Sequence, residues 1–290
     1  MRLVRSSFPF LQRVPVRLGL FAVGLALVFG AAAAVGAAVD PGEPDSSCAP
    51  AHGGMGHEPL GLSVAQGDTS ISPVTFTAAA GQAQRLRFRV LDRAGAPVRS
   101  GYELEAQRRL HLIVVRRDLT GYQHLHPTMA ADGTWGVPLK IAEPGAYRVF
   151  ADFQRECEKH VLAADLLAPG DFQPRALPAP AATASVDGYE VKLARPALRA
   201  GHEAILHFTV SRDGRPVRDL QPYLGARGHL VALRQGDLAY LHAHPEEHGD
   251  AAGEIPFAAE FLSAGSYRLF MQFRAGGIVH TVAFTAKVAP

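Results

Sequence analysis

Two cysteines, Cys48 and Cys157, are all that the chain carries in 290 residues. They cannot build a four-cysteine zinc site, and their separation rules out a CxxC redox pair. Nucleotide and hydrolase signatures are missing as well. There is no phosphate-cradling loop, no dinucleotide fingerprint and no Gly-x-Ser-x-Gly elbow. Asp132, Asp152 and Glu158 are scattered, with nothing to make them an acid/base pair. No enzymatic activity is therefore expected, and a metal-dependent enzyme is the most distant of the alternatives. A basic surface is lacking too. Arg2, Arg5, Arg13 and Arg17 sit in the first seventeen residues, and without them the formal charge of +2 turns negative. That excludes the electrostatic footprint of a nucleic-acid binder.

Histidine is what the chain has in excess, thirteen in all and none before Cys48. Ahead of them comes a basic N-terminus over residues 1–17. A run of uncharged, mostly apolar residues follows over 18–39, long enough to cross a bilayer as a helix. Arginines before it and Asp40, Glu43 and Asp45 after it put the N-terminus in the cytoplasm and everything downstream outside. The run reads either as a retained single-pass membrane anchor or as a signal segment cut near Val35-Gly36-Ala37, which would leave a secreted protein. Residues 40–59 read as a flexible tether, and His52-Gly53-Gly54-Met55-Gly56-His57 within it suits copper or is an incidental polar spacer. In an exported chain Cys48 and Cys157 are expected to form a disulfide, with a Cys157 thiolate ligand beside His160 as the alternative.

From residue 60 onward, short alternating segments and turns indicate β-structure. Leu86, Phe88 and Val90 fall on one face of a strand, and Asp92-Arg93-Ala94-Gly95-Ala96-Pro97 is a turn. His111 to Val115 is apolar on both faces and reads as a central strand. The pattern then repeats. Leu206, Phe208 and Val210 restate Leu86, Phe88 and Val90. Tyr267-Arg268-Leu269-Phe270 restates Tyr147-Arg148-Val149-Phe150. We expect an all-β chain of two tandem immunoglobulin-like β-sandwich domains, over 60–169 and 186–290, joined by a Pro/Ala-rich linker over 170–185.

The histidines recur with the repeat. Arg109-Leu110-His111-Leu112-Ile113-Val114-Val115 leads to Tyr122-Gln123-His124-Leu125-His126-Pro127. Arg227-Gly228-His229-Leu230-Val231-Ala232-Leu233 leads to Tyr240-Leu241-His242-Ala243-His244-Pro245. A fourth histidine, His160 or His280, follows each copy. A hairpin folded about Asp118/Leu119 sets His111 opposite His126 and Ile113 opposite His124. One folded about Gly236/Asp237 sets His229 opposite His244. Opposed residues have Cβ atoms about 4.5–5.5 Å apart, close enough for two imidazoles to share an ion. The expected metal ligands are therefore His111, His124, His126 and His160 in one copy and His229, His242, His244 and His280 in the other. Each copy would own its site, with Met271 able to join the second. Three histidines with a vacancy suit copper, with zinc as the other option. The bland alternative is that the rings are structural, bonded to main chain or to each other.

The second copy, from Pro222-Tyr223-Leu224-Gly225-Ala226 through Gly228-His229-Leu230-Val231 to Tyr240-Leu241-His242-Ala243-His244-Pro245, resembles a motif of uncharacterised exported bacterial proteins. Those proteins are often membrane-anchored and immunoglobulin-like, and are associated with copper or heavy-metal handling. The first copy departs from the motif, with Glu103-Leu104-Glu105-Ala106-Gln107 in place of the Tyr-Leu-Gly-Ala segment. The expected function is an extracytoplasmic metal-binding protein, for copper sequestration or delivery. Its partners would be the metal ion, the membrane through the N-terminal helix, and an envelope protein. The rival reading is a non-metal interaction module of the cell envelope.

Overall fold

The computed structural model describes residues 60–73, 75, 77–246 and 253–290, with the side chains of His242 and His244 left aside. The apolar run, the tether with its His/Met cluster, and Cys48 lie outside these residues. Among the described residues no helix is long and apolar enough to cross a membrane.

Every regular element among the described residues is a strand. In the first repeat these are β1 (Ala65–Gln66), β2 (Thr69–Pro73), β3 (Ala83–Leu91), β4 (His111–Arg116), β5 (Gln123–Leu125), β6 (Thr128–Met129), β7 (Thr134–Lys140), β8 (Gly145–Arg155) and β9 (Glu158–Ala168). The second has β10 (Thr183–Val186), β11 (Tyr189–Ala194), β12 (Leu198–Arg199), β13 (Glu203–Arg212), β14 (Arg215–Pro216), β15 (Gly228–Arg234), β16 (Tyr240–Pro245), β17 (Glu254–Glu260), β18 (Gly265–Ala275) and β19 (Ile278–Ala289). The first repeat has one sheet in the order β1-β2-β3-β7-β6 and another in the order β5-β4-β8-β9. The second repeat runs β10-β11-β13-β17 and β16-β15-β18-β19 in the same sense, and β16 also pairs with β17 to join the two sheets.

Each repeat is a sandwich because its strands are apolar on alternate residues. Leu86, Phe88 and Val90 of β3 point inward with Leu112, Val114 and Phe153 from the facing sheet. Leu206, Phe208 and Val210 of β13 do the same with Leu230, Ala232 and Phe273. Covering one face of each sheet in this way removes the apolar set from water.

The central strands break that one-sided pattern. All six residues of β4 are buried. Its second face, Ile113 and Val115, packs with Phe150, Val231, Leu233 and Phe270 in a third core that draws on both repeats. A strand apolar on both sides needs cover on both sides, and here the other repeat supplies it. The two sandwiches accordingly lie within one compact unit, His52–Pro290. A strap over residues 60–64 helps to close the joint. The Tyr240 amide donates to the Leu60 carbonyl, the Ala163 amide donates to the Ser63 carbonyl, and Arg148 donates to the carbonyls of Gly61 and Leu62.

The candidate metal centre between the repeats

Both hairpins have the expected register. Leu112 opposes Leu125 and Ile113 opposes His124. Leu230 opposes Ala243 and Val231 opposes His242. Side chains alternate along a strand, so His111 shares the face of Ile113 and Val115, and His229 that of Val231 and Leu233. Those are the faces that the two repeats press together. Three rings of the first copy, His111, His124 and His126, come together at the joint, and His229 of the second repeat meets them there.

His111, His124 and His229 each offer a ring nitrogen, and these three nitrogens lie within 4.8 Å of one another. His111 and His229 are 1% and 4% exposed. Their rings stack with centroids 5.6 Å apart, and the His124 ring lies 4.5 Å from that of His229. His126 adjoins the group, 4.8 Å from His124 and 5.3 Å from His111. Its Nε2 is buried with no hydrogen-bond partner among the described residues. Burial, together with His111 and Arg108, takes the His126 imidazole down to about 4, so at neutral pH it is an uncharged ring with a lone pair to offer.

The hydrogen bonds around the trio restrict its protons. His111 Nε2 donates to the Glu105 carbonyl at 2.9 Å. His124 Nδ1 donates to Gln272 Oε1 at 2.7 Å. The inner nitrogens, His111 Nδ1 and His124 Nε2, face each other at 2.9 Å. A neutral imidazole carries one N–H, and both rings use theirs on an outer oxygen. With both protons turned outward, the inner nitrogens present two lone pairs that one cation can bridge. The cation is either a shared proton or a metal ion. Metal-ligating histidines typically hand their second N–H to a carbonyl or similar acceptor, which is the arrangement on both rings here.

His160 and His280 stand apart from this group. His160 is the strand partner of Phe153, while His111 is the strand partner of Asp152. Consecutive residues point to opposite faces, so the sheet itself separates His160 from His111. His160 Nδ1 bonds to Thr69 Oγ1 at 3.1 Å and its ring stacks on Phe153. Burial lowers its basicity. His280 is likewise the partner of Phe273 on the core side, with Nδ1 bonded to Asp187 at 2.8 Å. The expected ligand sets are corrected at these two positions: His160 does not join His111, His124 and His126, and His280 does not join His229. Met271 is fully buried in the core of the second sandwich, on the wrong face to join a site with His229. Cys157 is disulfide-bonded and offers no thiolate. His242 lies opposite Val231, and His244 opposite Ala258.

The first copy's departure from the motif proves to be one of side chains only. Glu105 bridges to Arg108 as Tyr223 bridges to Ala226, so one turn precedes the histidine strand in both repeats. Glu105 also ties the centre to a buried ionic group. Lys159 pairs with both Glu105 and Asp152, and Tyr240 from the second repeat donates to Asp152 at 2.8 Å. Neither Gln272 nor Lys159 is marked as part of a site by the repeated histidine pattern.

The family model of a domain of unknown function, DUF8832, matches residues 65–169 and again 184–290. The chain belongs to that family. Its two DUF8832 domains are thus the two sandwiches, and the histidine group lies between them. No curated protein matches the sequence. Among solved structures, the chain is similar to a DUF4426-family protein of Pseudomonas aeruginosa (10% identity, 37% of this chain and 96% of that one, TM-score 0.30). It is also similar to the Escherichia coli adhesin FdeC (14% identity, 77% and 64%, TM-score 0.25). A third is Salmonella alpha-2-macroglobulin (14% identity, 80% and 16%, TM-score 0.27).

Proposed function

We propose that the protein is an extracytoplasmic metal-binding protein whose single centre is shared by its two immunoglobulin-like domains. Its role would be copper sequestration or delivery at the cell envelope, with zinc as the other ion the donors suit. The observation that carries this reading is the confrontation of His111 Nδ1 and His124 Nε2 at 2.9 Å, each ring already donating to an oxygen on its far side. A bound ion about 2.0–2.1 Å from each nitrogen would bridge the pair. For tetrahedral coordination the inner nitrogens would open to roughly 3.3 Å and His229 would draw in, both within side-chain adjustment. The donors are imidazole nitrogens, with His126 available as a fourth. Such a set favours Cu(II) and Zn(II) over ions that prefer sulfur.

The apolar run over 18–39 would hold the protein to the membrane, or mark it for secretion if cleaved, with both domains outside the cytoplasm. The second reading keeps the shared proton. The histidines would then be a structural hydrogen-bond network, and the protein a metal-free envelope module. Elemental analysis of the purified protein, followed by titration with Cu(II) and Zn(II), separates the two. The metal reading expects near-stoichiometric binding that His229→Ala abolishes. Wild-type protein that takes up neither ion leaves the structural reading standing.

A further inference from the structure

We infer that Gln272 is a positioning residue of this centre: an amide from the second repeat that fixes the tautomer of a histidine from the first. The inference rests on the metal reading above and goes one shell outward from it. Gln272 lies on β18 as the strand partner of His229 and is 5% exposed. Its Nε2 donates to Thr281 Oγ1 at 3.0 Å, which turns Oε1 toward His124 Nδ1, 2.7 Å away. With Oε1 so placed, an acceptor only, Nδ1 carries the His124 proton. The lone pair is thereby placed on Nε2, the nitrogen that faces His111 and the centre. Without the acceptor, His124 is free to carry its proton on Nε2, where it would block an ion.

The corresponding position in the first repeat is Asp152, the strand partner of His111. That carboxylate is taken up by Tyr240 and Lys159. The two positions have therefore diverged: Asp152 is engaged by Tyr240 and Lys159, whereas Gln272 is the acceptor for His124. A neutral amide leaves His124 a weaker base than a carboxylate would, which suits an ion that is exchanged more than one that is held permanently.

Zn(II), titrated against a competing chelator, is the probe. Gln272→Leu is expected to weaken Zn(II) by about 10–100-fold, the usual effect of losing such an outer partner. Gln272→Glu is expected to bind at least as tightly as wild type and to release the ion more slowly. Long-range proton–nitrogen spectra of the metal-free protein give a second readout. His124 should carry its proton on Nδ1 in wild type and populate the Nε2–H form in Gln272→Leu. The inference is overturned if Gln272→Leu keeps wild-type affinity and tautomer, or if Gln272→Glu binds as weakly as Gln272→Leu. If wild type takes no Zn(II), the metal reading fails, and the spectra alone still decide whether Gln272 sets the tautomer.

Discussion

A buried residue with polar atoms must find a partner for each of them or lose the free energy of its hydration. At His111 and His124 the partners are oxygens on the outside and each other on the inside, which gives the pair two inner nitrogens that one cation can share. Asp118, at the tip of the same hairpin, shows the opposite polarity. Burial by itself would raise its carboxyl. The Arg116 guanidinium, the Arg175 amide and Thr120 outweigh that and take it to about 2. The carboxylate accepts from Arg116 at 2.9 and 2.7 Å. A carboxyl depressed in the folded state contributes stability that is complete above its unfolded value of 3.8 and is lost as pH falls toward about 2. The contribution is on the order of 2 kcal/mol. Denaturant melts repeated down that window should therefore show stability falling with pH in wild type and a shallower fall in Asp118→Asn. Parallel slopes would remove Asp118 from the account.

Elements bring these residues together, and the strap over residues 60–64 has little room to change. Gly61 has φ +72°, and a Cβ there would sit 2.8 Å from Phe150 Cδ1 and 2.9 Å from Tyr240 Cβ, one contact in each repeat. Gly61→Ala must adopt a left-handed conformation and displace both neighbours. A loss of at least about 1–2 kcal/mol is expected from the backbone alone. It should appear as a lower thermal midpoint, and a midpoint equal to wild type would mean that the strap does not hold the joint. The hairpins, their turns and the register of both histidine pairs were legible in the sequence, because apolar alternation and turn residues are local signals. The pairing of the repeats was not read, although its signal was present. His111 to Val115 is apolar on both faces, and the histidines share parity with Ile113 and Val115, the face that a single sandwich leaves uncovered. His160 and His280 share parity with Leu162 and Val282 of the sandwich cores instead, which separates them from His111 and His229. Gln272 carries no local signal, since its partner His124 is remote in sequence and belongs to the other repeat.

At the scale of the whole molecule, duplication does more than double a domain. Two copies of one sheet, each with a second apolar face and a histidine at its rim, bury those faces against each other in a third core. Only then does His229 of the second copy join the rings of the first. The two DUF8832 domains are accordingly expected to act as one binding unit. The most direct measurement is the number of ions per chain, counted by native mass spectrometry after Cu(II) or Zn(II) loading. It should be made on wild type and on His111→Ala and His229→Ala, one substitution in each repeat. A shared centre predicts one high-affinity ion per wild-type chain and its loss in both variants. Two ions per chain, or one ion retained when either histidine is removed, would contradict it.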